Sequence, residues 1–134
     1  MDWKLELITV PVSDVDRAKA FYTEQLGFGL DVDFAPNPNF RVVQVTPPGS
    51  ACSIALMRNA DAAGSLQGLQ VVVADIESAQ QHLETHGVTA SSPYHFVDGT
   101  RVEGVHPQRG RYETFIDFAD PDGNGWLLQE VPPA

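Results

Sequence analysis

Val-Ser-Asp-Val at 12–15 and Val-Ala-Asp-Ile at 73–76 are two versions of one tetrapeptide, and each joins the same two kinds of segment. Before the first lies Leu5 to Pro11, Leu-Glu-Leu-Ile-Thr-Val-Pro, a short apolar strand. After it, Val15, Ala18, Phe21, Tyr22 and Leu26 recur at helical spacing. Ser13 is the expected N-cap, with Asp16 near the positive helix end. Gly27 suits the position just past a helix C-terminus. The second copy reads alike: Leu69 to Ala74 is a strand, Asp75 a cap, Ile76, Ala79 and Leu83 an apolar stripe, and Gly87 a stop. Similarity at an offset of roughly 60 residues marks a duplicated unit.

Three strands are expected after each helix. They are Leu30–Phe34, Phe40–Thr46 and Ser53–Arg58 in the first copy, punctuated by Pro36, Pro38 and Pro47-Pro48-Gly49. In the second copy they are Thr89–Val97, Tyr112–Ala119 and Trp126–Val131. The last two are joined by Asp-Pro-Asp-Gly-Asn at 120–124, which is turn chemistry. The chain therefore reads as one α+β domain of two βαβββ modules, 1–58 and 68–134, with a polar, Gly/Ala-rich linker at 59–67. Asp98 to Gly110 reads as a long loop between two strands, a kind of segment that often carries function.

Composition narrows the function classes. The 134 residues carry a formal net charge of −10, which repels a phosphate backbone or an anionic membrane surface. Neither a nucleic-acid nor a membrane partner is expected. The acidic start, Met-Asp-Trp-Lys-Leu-Glu, runs straight into a strand pattern and does not read as a signal peptide. A single cysteine, Cys52, allows no internal disulfide and suits a reducing cytoplasm.

Two motifs carry a family resemblance: Val-Ser-Asp-Val-Asp-Arg-Ala-Lys-Ala-Phe-Tyr-Thr-Glu-Gln-Leu-Gly-Phe at 12–28 and Asp-Pro-Asp-Gly-Asn-Gly-Trp-Leu-Leu-Gln-Glu at 120–130. With the repeat, they resemble the vicinal oxygen chelate superfamily of glyoxalases, extradiol dioxygenases and bleomycin-resistance proteins. The resemblance implies modules whose strands curl as a mixed sheet around a cup, with helices on the outer face. It also implies a divalent metal held by His, Gln or Glu on the first and last strands of each module. Carried onto this chain, those positions fall on Leu7, Gly68 and Leu127, with the fourth somewhere in Ser53–Met57. Leu and Gly side chains offer no donor. No metal site and no other cofactor is expected.

Strand alternation then places Leu7 and Thr9, Gln70 and Val72, and Leu127 and Gln129 toward the cup, with Trp126 and Leu128 under a helix. Such an apolar surface with a few neutral polar groups suits an organic ligand. A cup filled by its own side chains is the competing reading. Trp3 and Phe40, near strand starts, could add aromatic walls.

Other constellations weigh less. His82 and His86 lie four apart, but Leu83 stands where a zinc protease has Glu, so a solvated helix face is expected. His95, Glu103, His106 and Glu113 gather near the long loop and could serve acid–base chemistry, though their spacing matches no motif. Arg101, Arg109 and Arg111 suit either an anionic group on a ligand, for which Arg111 is the selected contact, or pairing with Glu103, Glu113 or a partner subunit. Asp120, Asp122 and Asn124 form a turn rather than a calcium loop, and Cys52 reads as a structural thiol.

The function expected from this reading is metal-independent binding of a small organic molecule. The alternative is a glyoxalase-like lyase or isomerase, or a dioxygenase, using a relocated metal or metal-free acid–base chemistry with His95, His106 and Glu113. Because edge strands need covering, a homodimer is expected.

Overall fold

The computed structural model describes residues 1–134 in the order β1 (Leu7–Val12), α1 (Val15–Ala20), β2 (Gly29–Asn37), β3 (Phe40–Thr46), β4 (Ser53–Arg58), β5 (Leu69–Val73), α2 (Ile76–Thr85), β6 (Tyr94–Val97), β7 (Thr100–Glu103), β8 (Phe115–Ala119) and β9 (Gly125–Glu130). It forms two compact units. The first holds residues 1–66 together with 120–124, and the second holds 67–119 and 125–134.

In the first unit the strand order is β1-β4-β3-β2. The central strand β4 is buried from Ser53 through Leu56, as a strand covered on both faces must be. It pairs in parallel with β1, Leu7 opposite Ser53 and Thr9 opposite Ala55, and antiparallel with β3. Val10, Val12, Val43 and Val45 are fully buried. Val15 and Ala18 are the buried residues of α1, which packs on β4.

The N-cap of α1 is Asp14, not Ser13: the Asp14 carboxylate accepts from the Arg17 N–H at 3.1 Å. Ser13 is instead drawn away, its N–H and hydroxyl both donating to Asp122. The helix also stops being regular at Ala20. Phe21–Gln25 form one π-helical turn, closed by the Leu26 N–H to the Phe21 carbonyl at 3.0 Å. The widened turn accommodates two consecutive aromatic residues, Phe21 and Tyr22, both buried.

The second unit has strand order β5-β9-β8-β6-β7 and is not a plain βαβββ module. The segment expected to be a long loop folds back as a further strand, β7, paired with β6 from Val97–Thr100 to Tyr94–Glu103. Asp98 and Gly99, at φ 50° and 79°, both adopt the left-handed conformation that a tight two-residue hairpin requires, and Asp-Gly is a favoured pair for it. The irregular loop is thus only 104–114.

Neighbouring strands are shorter than the sequence pattern suggests. β6 begins at Tyr94, because Pro93 has no N–H for a ladder, and only Ala90 bridges to Phe118 before it. β8 begins at Phe115, three residues late, since Tyr112 at φ 64° breaks the strand. Helix α2 is capped by Asp75, whose carboxylate accepts from the Glu77 N–H at 3.0 Å, and it packs on β8 and β9. Beneath it Ile76, Leu83, Ile116, Trp126 and Leu128 are buried.

Candidate functional site

Register and alternation decide which side chains share the sheet face that α2 leaves open. On β9 the covered residues are Trp126, Leu128 and Glu130, while Leu127 and Gln129 are half-buried on the other side. Directly paired residues project together. The pairs Gln70–Leu127 and Val72–Gln129 therefore bring Gln70 and Val72 of β5 onto this open face, both exposed. The pairs Phe115–Gln129 and Asp117–Leu127 add β8, and Tyr94–Phe115 adds β6. Through Phe96–Arg101 and Tyr94–Glu103, Arg101 and Glu103 of β7 complete the row.

The centre of this face is aromatic. Tyr94 stacks on Phe115 with centroids 5.6 Å apart, and Phe96 meets both edge-on, at 5.9 Å from Tyr94 and 5.7 Å from Phe115. Phe96 is 49% exposed, far more than a core ring would be. Beside the rings stands a polar group with fixed orientation. The Tyr94 hydroxyl donates to Asp117 at 3.0 Å, the Arg101 guanidinium lies 3.7 Å over the Tyr94 ring, and Arg101 Nη1 is 3.6 Å from Asp117. Burial, and then the neighbouring Asp117 carboxylate, hold the Tyr94 phenol above its ordinary pKa, so it stays a neutral donor.

None of these four residues (Tyr94, Phe96, Phe115 and Asp117) stood out from the sequence. The alternation Tyr94-His95-Phe96 ahead of an Asp-Gly turn, and Phe115-Ile116-Asp117 after it, were the available signals.

At one end of the face the loop 104–114 brings His106 and Glu113 together, as their clustering near this loop suggested. His106 Nδ1 lies 3.3 Å from Glu113 Oε2 and accepts from the Gln108 N–H at 3.1 Å. The Glu113 Oε2 also accepts from the Gly110 N–H at 3.0 Å. His95, on the covered face of β6, meets the His106 ring edge-on at 5.2 Å, and its Nδ1 donates to the Gly104 carbonyl at 2.7 Å. Glu103 is not part of this group. It pairs with Arg101 at 3.2 Å.

Two of the clefts on this unit's surface reach residues of the open face. The larger, about 630 Å³, is bordered by Gln67, Gly68, Ser91, Asp117 and Leu127. The smaller, about 270 Å³, is lined by Phe96, His106, Tyr112, Glu113 and Phe115. Gly68 and Leu127, two positions that would carry metal ligands by resemblance, thus border the larger cleft. The fourth position falls on Ala55, since Ala55 pairs with Thr9 as Leu127 pairs with Gln70. Leu7, Ala55, Gly68 and Leu127 offer no metal-binding side-chain atom, and nowhere are three His, Cys, Asp or Glu side chains grouped to hold a metal ion. The residues present do not fit the metal.

The remaining expected residues are dispersed. Leu7 and Thr9 lie on the open face of the first unit's sheet, with Phe40 43% exposed at the start of β3. Trp3 precedes β1 and is fully open to solvent. His82 and His86 stack on each other at 4.1 Å along the surface of α2. Cys52 has no base beside it, its thiol pointing to the Ser53 carbonyl at 3.6 Å.

Arg109 does not pair with Glu113. It binds Glu130 at 2.7 Å, Glu77 at 2.7 Å and Asp75 at 3.5 Å. Arg111 is exposed, donates to the Pro132 carbonyl at 3.4 Å, and lies 5.8 Å from the centre of the Tyr112 ring.

The model of the Glyoxalase/Bleomycin resistance protein/Dioxygenase superfamily matches residues 4–128, and the chain belongs to that superfamily. It is similar to TnmS3, an antibiotic binding protein from Streptomyces sp. CB03234, at 30% identity and a TM-score of 0.72 over 97% of each chain. A superfamily member from Sphaerobacter thermophilus DSM 20745 is 30% identical, with a TM-score of 0.74 over 96% of this chain and 98% of that one. The uncharacterized protein YetH of Bacillus subtilis (strain 168) is 29% identical over 126 residues, 92% of this chain and 94% of YetH. No helix is long and apolar enough to cross a membrane.

Proposed function

We propose that this chain is a metal-independent binding protein that holds a small, largely apolar organic molecule against the open face of its second sheet. The observation that carries this reading is the Tyr94–Phe96–Phe115 trio, in which Phe96 is exposed and Phe115 half-buried over the buried Tyr94, beside the half-buried Leu127 and Gln129. Covering apolar surface contributes roughly 25 cal/mol per Å², and rings set on strands lose little freedom when a ligand arrives. Gln70, Val72 and Gln129 flank the rings, and Asp117 offers an acceptor. Leu7 and Thr9 are assigned the matching role on the first sheet. The antibiotic binding described for TnmS3, at 30% identity, supports the reading. So does the absence of donor atoms at Leu7, Ala55, Gly68 and Leu127.

The working form is a homodimer, because β1 and β2 in one sheet, and β5 and β7 in the other, each lack a neighbour on one side. The cytoplasm is the expected compartment, consistent with the free thiol of Cys52.

The test is a fluorescence or calorimetric screen of hydrophobic organic molecules, repeated with a chelator and with Phe115→Ala. The expected result is an affinity indifferent to the chelator and weakened about tenfold or more by the truncation, as for loss of an aromatic anchor. Binding abolished by the chelator would overturn metal independence. Binding unchanged in Phe115→Ala would move the site elsewhere.

A further inference from the structure

The smaller cleft has a donor, an acceptor and aromatic walls, and these define a ligand more narrowly than apolar surface does. His106 Nδ1 accepts from the Gln108 N–H at 3.1 Å, so in the neutral ring the proton resides on Nε2. That Nε2–H has no partner within the chain. On Glu113, Oε2 is taken up by the Gly110 N–H, while Oε1 accepts nothing. Both side chains line the cleft of about 270 Å³, whose other walls are Phe96, Tyr112 and Phe115. A hydroxyl is the group that accepts and donates at one atom, so it can take the His106 Nε2–H and give its own hydrogen to Glu113 Oε1.

The loop that sets this geometry is held against its own preferences. Arg109 and Tyr112 adopt φ 46° and 64°, conformations that non-glycine residues rarely take. Arg109 is fixed by three carboxylates, and the Tyr112 N–H donates to the Glu130 carbonyl at 2.8 Å. Gly110 lets the Glu113 carboxylate lie against the backbone; a Cβ there would come 2.7 Å from Glu113 Cδ. Backbone strain kept in place by surrounding contacts is concentrated at functional sites.

We infer that this cleft is a subsite for a hydroxyl-bearing aromatic ring, clasped by Phe96, Tyr112 and Phe115 and anchored by His106 and Glu113. The inference rests on the binding function proposed above, since Phe96 and Phe115 belong to the same open face. A carboxylate in place of the hydroxyl is disfavoured, because Glu113 would face it at short range and the chain carries a net charge of −10.

The test uses three naphthalenes on the full chain at neutral pH: 2-naphthol, its methyl ether, and naphthalene-2-carboxylate, followed by their fluorescence. Phenols ionise near pH 10, so naphthol enters as a neutral hydroxyl. The expected order is naphthol about tenfold tighter than the ether, with the carboxylate weakest. Glu113→Gln should bring naphthol close to the ether, and His106→Phe should weaken both, because either oxygen can accept the Nε2–H, while thermal melts confirm that both variants are folded. Equal binding of naphthol and ether by the wild type, or no binding of either, overturns the subsite. In those cases a Phe115-dependent ligand from the hydrophobic screen would leave the broader binding function standing, and its absence would remove both.

Discussion

Tyr22 donates its hydroxyl to the carboxylate of Asp120 at 2.8 Å, although 98 positions of sequence separate them. Both are buried, and Asp120 also accepts from the N–H groups of Asp122, Gly123 and Asn124 and from the Asn124 side chain. The Asp-Pro-Asp-Gly-Asn turn is thus organised around one carboxylate that Tyr22 ties to the first unit. Tyr22→Phe should cost about 1 to 3 kcal/mol, the range for a lost hydrogen bond to a charged group. Urea denaturation measures this. A loss within error of zero would show that the other four donors suffice.

Arg109 and Glu130 form the second tie. The Glu130 side chain is buried, accepts from Arg109 at 2.7 Å, and caps α2 through the Ile76 N–H at 2.8 Å. Arg109→Ala should destabilise by about 2 to 4 kcal/mol at neutral pH, less than for a wholly orphaned buried charge because the Ile76 N–H remains.

The same pair predicts a pH dependence. Hydrogen bonding from Arg109, then from the Ile76 N–H, outweighs burial and lowers the Glu130 pKa below its ordinary 4.5. A depressed folded value means stability that is complete above about 4.5 and lost as pH falls through the folded value. The melting-temperature gap between wild type and Glu130→Gln should therefore narrow as the medium is acidified. A gap that widens would reverse the assignment.

Gly64 and Gly99 share φ 79° but not their surroundings. A Cβ on Gly99 meets nothing within 4 Å, whereas on Gly64 it would stand 2.0 Å from the Asp122 carbonyl oxygen. Gly99→Ala should cost only the left-handed backbone penalty, about 1 kcal/mol. Gly64→Ala must displace backbone and should cost clearly more. Equal losses in chemical denaturation would mean that the 120–124 turn moves freely.

Added zinc, nickel, manganese or iron should shift the melting temperature by less than about 1 °C, since tight binding to the folded state alone raises it. A saturable rise of several degrees would show that donors outside Leu7, Ala55, Gly68 and Leu127 assemble a site.

The duplicated architecture was legible because its signals are local: the Asp14 and Asp75 positions before apolar helical stripes, and the alternation in β9 that separates Leu127 and Gln129 from Trp126 and Leu128. The β7 hairpin was missed although Asp98-Gly99 is a strong turn pair; its length hid it among polar residues with no buried face. The Ser13 cap failed for a different reason, since Asp122 lies 109 positions away and competes for it. The aromatic trio depends on β6–β8 pairing at a single register, Tyr94 opposite Phe115, which no local pattern specifies. His106 and Glu113 were named from proximity in sequence, but their contact depends on left-handed residues at 109 and 112, where Arg and Tyr give no hint of such a backbone.

The five residues 120–124 complete the first unit although they are made long after the rest of it. During synthesis the first 66 residues leave the ribosome with the Tyr22 hydroxyl and the Pro11 carbonyl still awaiting Asp120 and the Asn124 amide. A chain cut after Leu66 would thus lack part of its own interior. Supplying 67–134 as a separate polypeptide should restore it, so that the two fragments act as halves of a self-assembling pair.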